Sequence, residues 1–451
     1  MMSFVFTLVV LAVSWLTGCA SSPNGPDAVV ATPIPPRSVT IPEYRWVVDE
    51  RRVILRASDL GLKEGAGISP EGLTFAKNGD LLMAACCSGA AKTFIVRSSD
   101  AGKTWKQHGV LNHKGTDDYP PNRGTVEGLL RTRSGRLVLV YYILRQGMEE
   151  TEPGDPYYVP YGASSRFTHM SSAQWGAYSD DEGKTWQYVP MDIAPFQSMD
   201  AEASSQIFET GDGTLVASFR GHLNQQELDA GLASVGIIRS HDGGESWGDA
   251  SILHRGEPGS GRWFNESQVV PLADGRWVCM LRLNDSNQHH KAPIIMHRLY
   301  STDEGRTWSY PVQTQFRGGE PGLGLLPDGA LLATQTGGWM IDQILREDET
   351  IVRKFGAERH RKLLYEVSYD GALTWAYWGD LYLSGANVRE HIGSPIVRAL
   401  DNDTAIVVHH RGSKPPPETP LRAGPQVIGA SWLHKRPADS AEARRLRSPQ
   451  D

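Results

Sequence analysis

A carboxylate and a guanidinium stand at the two ends of NESQVVPLADGRWVCMLR, residues 265–282. Glu266 and Arg282 each lie eight residues from Asp274, in the turn Ala273-Asp274-Gly275 between two apolar runs. If the runs pair as a hairpin, the two charges meet at its open end. Five more segments share this form: EGLTFAKNGDLLMAAC (71–86), EGLLRTRSGRLVLVYY (127–142), SSQIFETGDGTLVASFR (204–220), EPGLGLLPDGALLATQT (320–336) and SPIVRALDNDTAIVVHH (394–410). Aligned on their turns they give two columns. The first holds Glu71, Glu127, Ser204, Glu266, Glu320 and Ser394, with Glu202 two residues ahead of Ser204 and so on the same strand face. The second, seven residues past the turn glycine or its equivalent, holds Cys86, Tyr142, Arg220, Arg282, Thr336 and His410.

Two chemistries suit these columns. Carboxylates brought within a few ångströms of one another raise some of their pKa values. A proton-holding carboxyl beside an ionised one is what glycoside hydrolysis uses. A guanidinium fork matches the two oxygens of a ligand carboxylate. The alternative is structural: a glutamate at a strand start pairs with an arginine or caps backbone N–H groups of a neighbouring unit, and repeats because the unit repeats.

A second repeat defines that unit. SSDAGKTW (98–105), SDDEGKTW (179–186), SHDGGESW (240–247) and STDEGRTW (301–308) share Ser-x-Asp-x-Gly-x-Thr/Ser-Trp, and SYDGALTW (368–375) is a degenerate fifth copy with Ala372 in place of glycine. This is the chemistry of a turn. The aspartate accepts backbone N–H groups, glycine takes the positive φ, and tryptophan covers the turn with apolar area. We assign the octets no catalytic role.

The octets resemble the Asp-box, or BNR repeat, of the sialidase superfamily, and the resemblance covers about residues 50–435. It implies an all-β fold, a six-bladed β-propeller of four-stranded antiparallel blades, here spanning 44–435. The six hairpins match six blades. The sixth has no octet after it, and YRWVVDERRVIL (44–55) is expected to supply the outer strand that closes the ring. The first hairpin of a blade lies nearest the axis, so both columns are expected at one mouth of the central channel.

The resemblance also implies roles. NESQVVPLADGRWVCMLR is similar to the sialidase strand whose glutamate polarises a tyrosine nucleophile and whose following arginine belongs to a triad gripping the sugar carboxylate. This maps the roles to Glu266 and Arg282, and RKLLYEVSYDG (361–371) places Arg361 as a further triad member. Glu266→Gln is then expected to abolish activity at little structural cost. Three sialidase groups are missing from their expected places: an arginine in GISPEG (67–72), an aspartate in CCSGAAKTF (86–94) and a tyrosine near HIGSPIV (391–397). Arg220 stands in the column of Arg282 one blade earlier, and Glu202, Glu127 and Glu71 are candidate acids. The insertion 145–172, with Tyr157, Tyr158 and Tyr161, is either a cover over the mouth or a blade-packing loop.

The rest of the chain bounds these readings. A net charge of −7 with no basic face argues against nucleic-acid binding. Phe4 to Leu16 has the length of a signal-peptide apolar region, and Leu16-Thr17-Gly18-Cys19 resembles a lipobox, with Cys19 as the lipidated residue. The Pro-rich segment 20–43 reads as a spacer and 436–451 as a polar tail. The expected protein is therefore exported and touches the membrane through a lipid anchor only. Cys86, Cys87 and Cys279 are too few for a disulfide framework and are expected as buried thiols. No spacing suggests a zinc site, the pairs His289-His290 and His409-His410 are read as mouth or loop residues rather than metal ligands, and no cofactor is called for. Three functions remain: an exo-glycosidase, in an acidic-sugar version using Arg220, Arg282 and Arg361 or a neutral-sugar version using Glu266 with Glu202; a non-catalytic glycan-binding lipoprotein; and, third, an interaction propeller. Glu71, Glu127, Glu320, Tyr142 and His410 are expected as substrate-facing residues in the first two.

Overall fold

The computed structural model describes residues 44–63, 66–88, 92–114, 124–144, 172–199, 206–230, 232–257, 262–285, 295–317, 319–337, 362–375, 377–383, 390–413 and 427–437. The leader 1–19, the spacer 20–43, most of the tail and the insertion 145–171 lie outside them, as do Cys19, Glu202, Arg361 and His289-His290.

Strands dominate the described residues, and they form the six antiparallel blades of a propeller. Blade 1 runs Gly67–Phe75, Leu81–Ser88, Lys92–Ser98 and Lys106–Asn112 from inside to outside. Blade 4 (Arg262–Pro271, Trp277–Asp285, Ile295–Ser301, Val312–Arg317) and blade 5 (Gly319–Leu325, Leu331–Gly337, Lys362–Ser368, Tyr377–Leu383) repeat that order. Blades 2 and 3 share one continuous hydrogen-bonded sheet, because the short strand Ser198–Met199 pairs both with Leu215–His222 of blade 3 and with Ser172 of blade 2. In blade 6, Glu390–Ala399, Thr404–Ser413 and Val427–Pro437 are completed by Tyr44–Arg56, which pairs antiparallel with Val427–Pro437 from Tyr44↔Pro437 to Arg56↔Val427. The ring thus closes with the strand Tyr44–Arg56, as the segment 44–55 implied.

The continuous apolar runs have a simple cause. Alternate side chains of a strand face opposite sides of its blade, and here both sides are covered. In LLMAAC, Leu82 and Ala84 face blade 2 in a cluster with Leu137, Leu139 and Tyr141, whereas Leu81 and Met83 face blade 6 against Ile406, Val408 and Trp432. Such an apolar cluster fills each of the six interfaces between successive blades. The two columns lie at the open ends of the inner hairpins.

The octets are hairpin turns between the third and outer strands. In the first, Thr104 donates its backbone N–H and its hydroxyl to Asp100 (2.8 and 2.6 Å), Gly102 N–H is held by Ser98 Oγ at 2.9 Å, and Trp105 Nε1 donates to Gly102 O at 2.8 Å. The octets around Asp181, Asp242, Asp303 and Asp370 repeat the aspartate bonds. Gly102 has φ +87°, which glycine adopts without strain, and a β-carbon on it would lie 2.6 Å from Ile406 Cδ1. The degenerate copy keeps the same turn with Ala372 at φ +70°. These turns lie at the end of the blades opposite the two columns, which removes them from the mouth.

Candidate active site

The first column sits on a β-bulge of each inner strand in which it is described. Pairing with the second strand slips between Pro70 and Gly72, Val126 and Gly128, Phe264 and Ser267, Gly319 and Gly322, and Gly393 and Ile396. A bulge leaves backbone groups outside the ladder and re-aims a side chain. At Glu320 and Ser394 it does so with positive φ, +51° and +47°, a conformation that non-glycine residues hold only where the surroundings require it.

What requires it is the preceding blade. Glu266 Oε2 of blade 4 accepts the backbone N–H of Glu320 at 2.6 Å, and Glu320 Oε2 of blade 5 accepts the backbone N–H of Ser394 at 2.9 Å. Each carboxylate clasps the freed N–H of the next bulge, the structural alternative raised above for this column. In blade 1, Glu71 Oε1 accepts a hydrogen bond from Ser69 Oγ. Glu127 lies on the inner strand of blade 2 at the same bulge, but its side chain is outside the described atoms.

The second column adds the cations. Arg282 Nη1 donates to Glu266 Oε1 at 2.5 Å, with both side chains largely shielded from solvent (19% and 7% exposed). Glu266 therefore accepts on both oxygens, from a guanidinium and from a backbone amide, neither of which can accept in return. Arg220, 1% exposed, donates from Nη1 to Asn265 Oδ1 across the blade 3–blade 4 interface. The two guanidinium groups thus bond acceptors on consecutive residues, Asn265 and Glu266. The charged ends of the opening segment do meet, and a second arginine from the neighbouring blade joins them.

Small residues make room for this. A β-carbon on Gly319 would lie 3.1 Å from Arg282 Nη1 and 3.3 Å from its Cζ, and one on Gly393 would lie 2.0 Å from Glu320 Oε2 and 2.7 Å from His410 Cε1. Neither glycine has a positive φ, so space is the reason for each. Thr336 donates to Gly319 O at 2.9 Å. Tyr142 and His410 are buried at their column positions, opposite Thr125 and Gly393. Asn265, Gly319 and Gly393 escaped the sequence reading. Each immediately precedes a column-one residue, and that adjacency was the available signal.

Titratable groups nearby are tuned by burial. His409 is pushed down to about 4, chiefly by burial, and burial also raises the Cys87 and Cys279 thiols. Cys86, Cys87 and Cys279 are buried. Among the described residues no group of three or more His, Cys, Asp or Glu side chains is arranged to hold a metal, and no helix is long and apolar enough to cross a membrane.

Comparison with known proteins agrees with this architecture. The BNR/Asp-box repeat family matches residues 177–188, the second octet. A sialidase of Bacteroides fragilis (strain YCH46) is 24% identical over 240 residues, covering 52% of this chain and 38% of that protein, so the chain spans well under two thirds of its length. Among solved structures, a protein of unknown function from Dyadobacter fermentans superposes with TM-score 0.61 at 18% identity, covering 87% of this chain and 99% of the other. An α-L-arabinanase of Penicillium chrysogenum bound to arabinobiose gives TM-score 0.54 at 13% identity, covering 86% and 98%. The chain is an Asp-box propeller similar to the sialidase superfamily in sequence and fold. At this identity the likeness to solved structures defines architecture rather than chemistry.

Proposed function

We propose that this protein is a sialidase-like exo-glycoside hydrolase that removes a terminal acidic sugar from extracellular glycans, exported and held to the membrane by a lipid on Cys19. The observation that carries this reading is the pair of guanidinium groups, Arg220 and Arg282, bonded to the consecutive residues Asn265 and Glu266. In this reading the two forks, brought from adjacent blades, grip a sugar carboxylate. Arg361 is the third member in this reading. Glu266 orients Arg282 and is bound on both oxygens, so in this reading it is a positioning group before it is a nucleophile. The purified protein is expected to release fluorophore from a 4-methylumbelliferyl sialoside and not from the arabinofuranoside. Arg282→Ala is expected to lose about 1.5–3 kcal/mol of acidic-sugar binding, the worth of a charged hydrogen bond, while neutral-sugar binding is unchanged. Turnover of the arabinofuranoside alone would favour the neutral-sugar version with Glu266 and Glu202, for which the arabinanase of similar fold is the motivating observation. Binding without turnover of any glycoside would leave the non-catalytic reading.

A further inference from the structure

We infer that Glu320 and His410, on the blade 5–blade 6 side of the mouth, form the carboxylate–imidazole pair that transfers the proton in glycoside cleavage. The inference deepens the hydrolase reading and rests on it. No aspartate stands in CCSGAAKTF, where the resemblance expects the acid.

The geometry points to this pair. Glu320 Oε2 and His410 Cε1 both crowd one point above the backbone of Gly393, 2.0 and 2.7 Å from where a β-carbon would stand. The imidazole and the carboxylate are therefore neighbours over Gly393. Both partners are fixed. Glu320 is held by the Ser394 N–H at 2.9 Å and by its positive-φ bulge, and its own N–H binds Glu266 Oε2 at 2.6 Å. His410 is 5% exposed and stands opposite Gly393 in the ladder. The pair is thus joined through one peptide unit to the carboxylate that orients Arg282.

Other charged groups near His410 are accounted for. His409 and Arg411, its chain neighbours, point to the opposite face, where both approach the position of a β-carbon on Gly429 (His409 Cε1 at 2.9 Å, Arg411 Cδ at 3.2 Å). On the blade 1 side the charged column residue is Glu71, engaged by Ser69 Oγ. Glu320 is the carboxylate in place to favour the imidazolium.

The proton balance closes without a cofactor. The His410 imidazolium gives its proton to the glycosidic oxygen as the bond to the anomeric carbon breaks and its electron pair stays on the leaving oxygen. A water then attacks the anomeric carbon and returns a proton to the neutral imidazole, so one water is consumed and the pair is restored.

The test uses the full chain and three proteins: wild type, His410→Gln and Glu320→Gln. His410→Gln is expected to lower kcat by about 10²- to 10⁴-fold, the usual worth of a positioned acid, with KM little changed. The loss is expected to be smaller on an aryl glycoside, whose leaving group needs less protonation, than on a disaccharide. Glu320→Gln is expected to move the basic limb of the pH–rate profile to lower pH. The His410 Cε1–H resonance, assigned by its loss in His410→Gln, is expected to titrate at lower pH in Glu320→Gln than in wild type. Wild-type kcat in His410→Gln, or an unmoved resonance in Glu320→Gln, overturns the pair. The resonance is read without substrate. A chain that cleaves no glycoside therefore sinks the hydrolase reading and the proton-transfer role with it, whereas a chain that cleaves a glycoside but shows an unmoved resonance in Glu320→Gln overturns the pair alone.

Discussion

Replacing Glu266 by glutamine looks conservative, yet the site predicts that it is costly. A carboxylate offers acceptors on both oxygens, and here both are used, by Arg282 Nη1 at 2.5 Å and by Glu320 N–H at 2.6 Å. Glutamine keeps one acceptor and turns an NH₂ group toward one of the two donors. One charge-assisted hydrogen bond is lost, and a donor is left facing a donor at a site where the Glu266 side chain is only 7% exposed. With charged hydrogen bonds worth about 1.5–3 kcal/mol, the expected loss is about 2–3 kcal/mol of unfolding free energy. Arg282→Ala, which strands the carboxylate with one partner, is expected to cost about 3 kcal/mol. The combination is the sharper measurement. Once Arg282 is gone, the amide NH₂ of glutamine can turn into the vacated space, so the second substitution should cost under about 1 kcal/mol. The coupling in the double-mutant cycle is then about 2 kcal/mol. Guanidinium unfolding followed by tryptophan fluorescence measures all four proteins. Equal costs for Glu266→Gln in both backgrounds, or none in the first, would refute the two-donor geometry. The expectation that this substitution spares the structure is revised by that geometry.

Two further predictions concern the scaffold. Stability should fall with acid in two stages. Burial lowers His113, His254 and His409 to about 4, so the unfolded chain takes up these protons first. Their contribution is complete above the ordinary value of 6.5 and is lost as pH falls from there toward 4. Asp181, lowered to about 2 by the backbone and hydroxyl donors of Thr185, contributes fully above 3.8 and loses that contribution as pH falls toward 2. The octet aspartates Asp242 and Asp303 are also lowered, their donors outweighing the opposing effect of burial. A melting temperature that is flat between pH 7 and pH 2 would count against both. Trp46 is fully buried in the closing strand, packed with Leu363, Val407 and Leu433. Trp46→Ala is expected to cost about 3–5 kcal/mol and to open the strand to limited proteolysis, whereas a loss below about 1 kcal/mol would mean that the strand does not close the ring.

Much of the fold was legible because its signals are local. Each Ser-x-Asp-x-Gly-x-Thr-Trp octet satisfies its own turn: Asp100 bonds Thr104 four residues away, and Trp105 bonds Gly102 three residues away. The hairpins were legible for the same reason. A turn glycine between apolar runs sets the register, so Arg282 and Glu266 could be placed together before any contact was known. The closing strand could be inferred by elimination, since five octets serve six hairpins. The merged sheet of blades 2 and 3 had no such marker, because Ser198–Met199 is too short to carry a pattern.

The meaning of the columns was not legible. Sequence alone placed Glu266 and Glu320 at equivalent ends of two hairpins, and it left open whether they face a ligand or each other's blade. That depends on contacts 54 and 74 residues apart in the chain, from Glu320 N–H to Glu266 and from Ser394 N–H to Glu320. They exist only once six sheets have packed face to face and the inner strands have bulged. Gly319 and Gly393 show the same limit. Their φ angles are ordinary, so nothing local asks for glycine, and only the side chains of Arg282, Glu320 and His410 over them explain the choice. Repeats and turn chemistry determined six hairpins with charged residues at their open ends, and the resemblance of the octets to Asp-boxes implied the six-bladed ring. The tertiary structure decided which charge meets which donor, because hydrogen bonds between blades are set by packing and bulge geometry, and no short-range pattern encodes them.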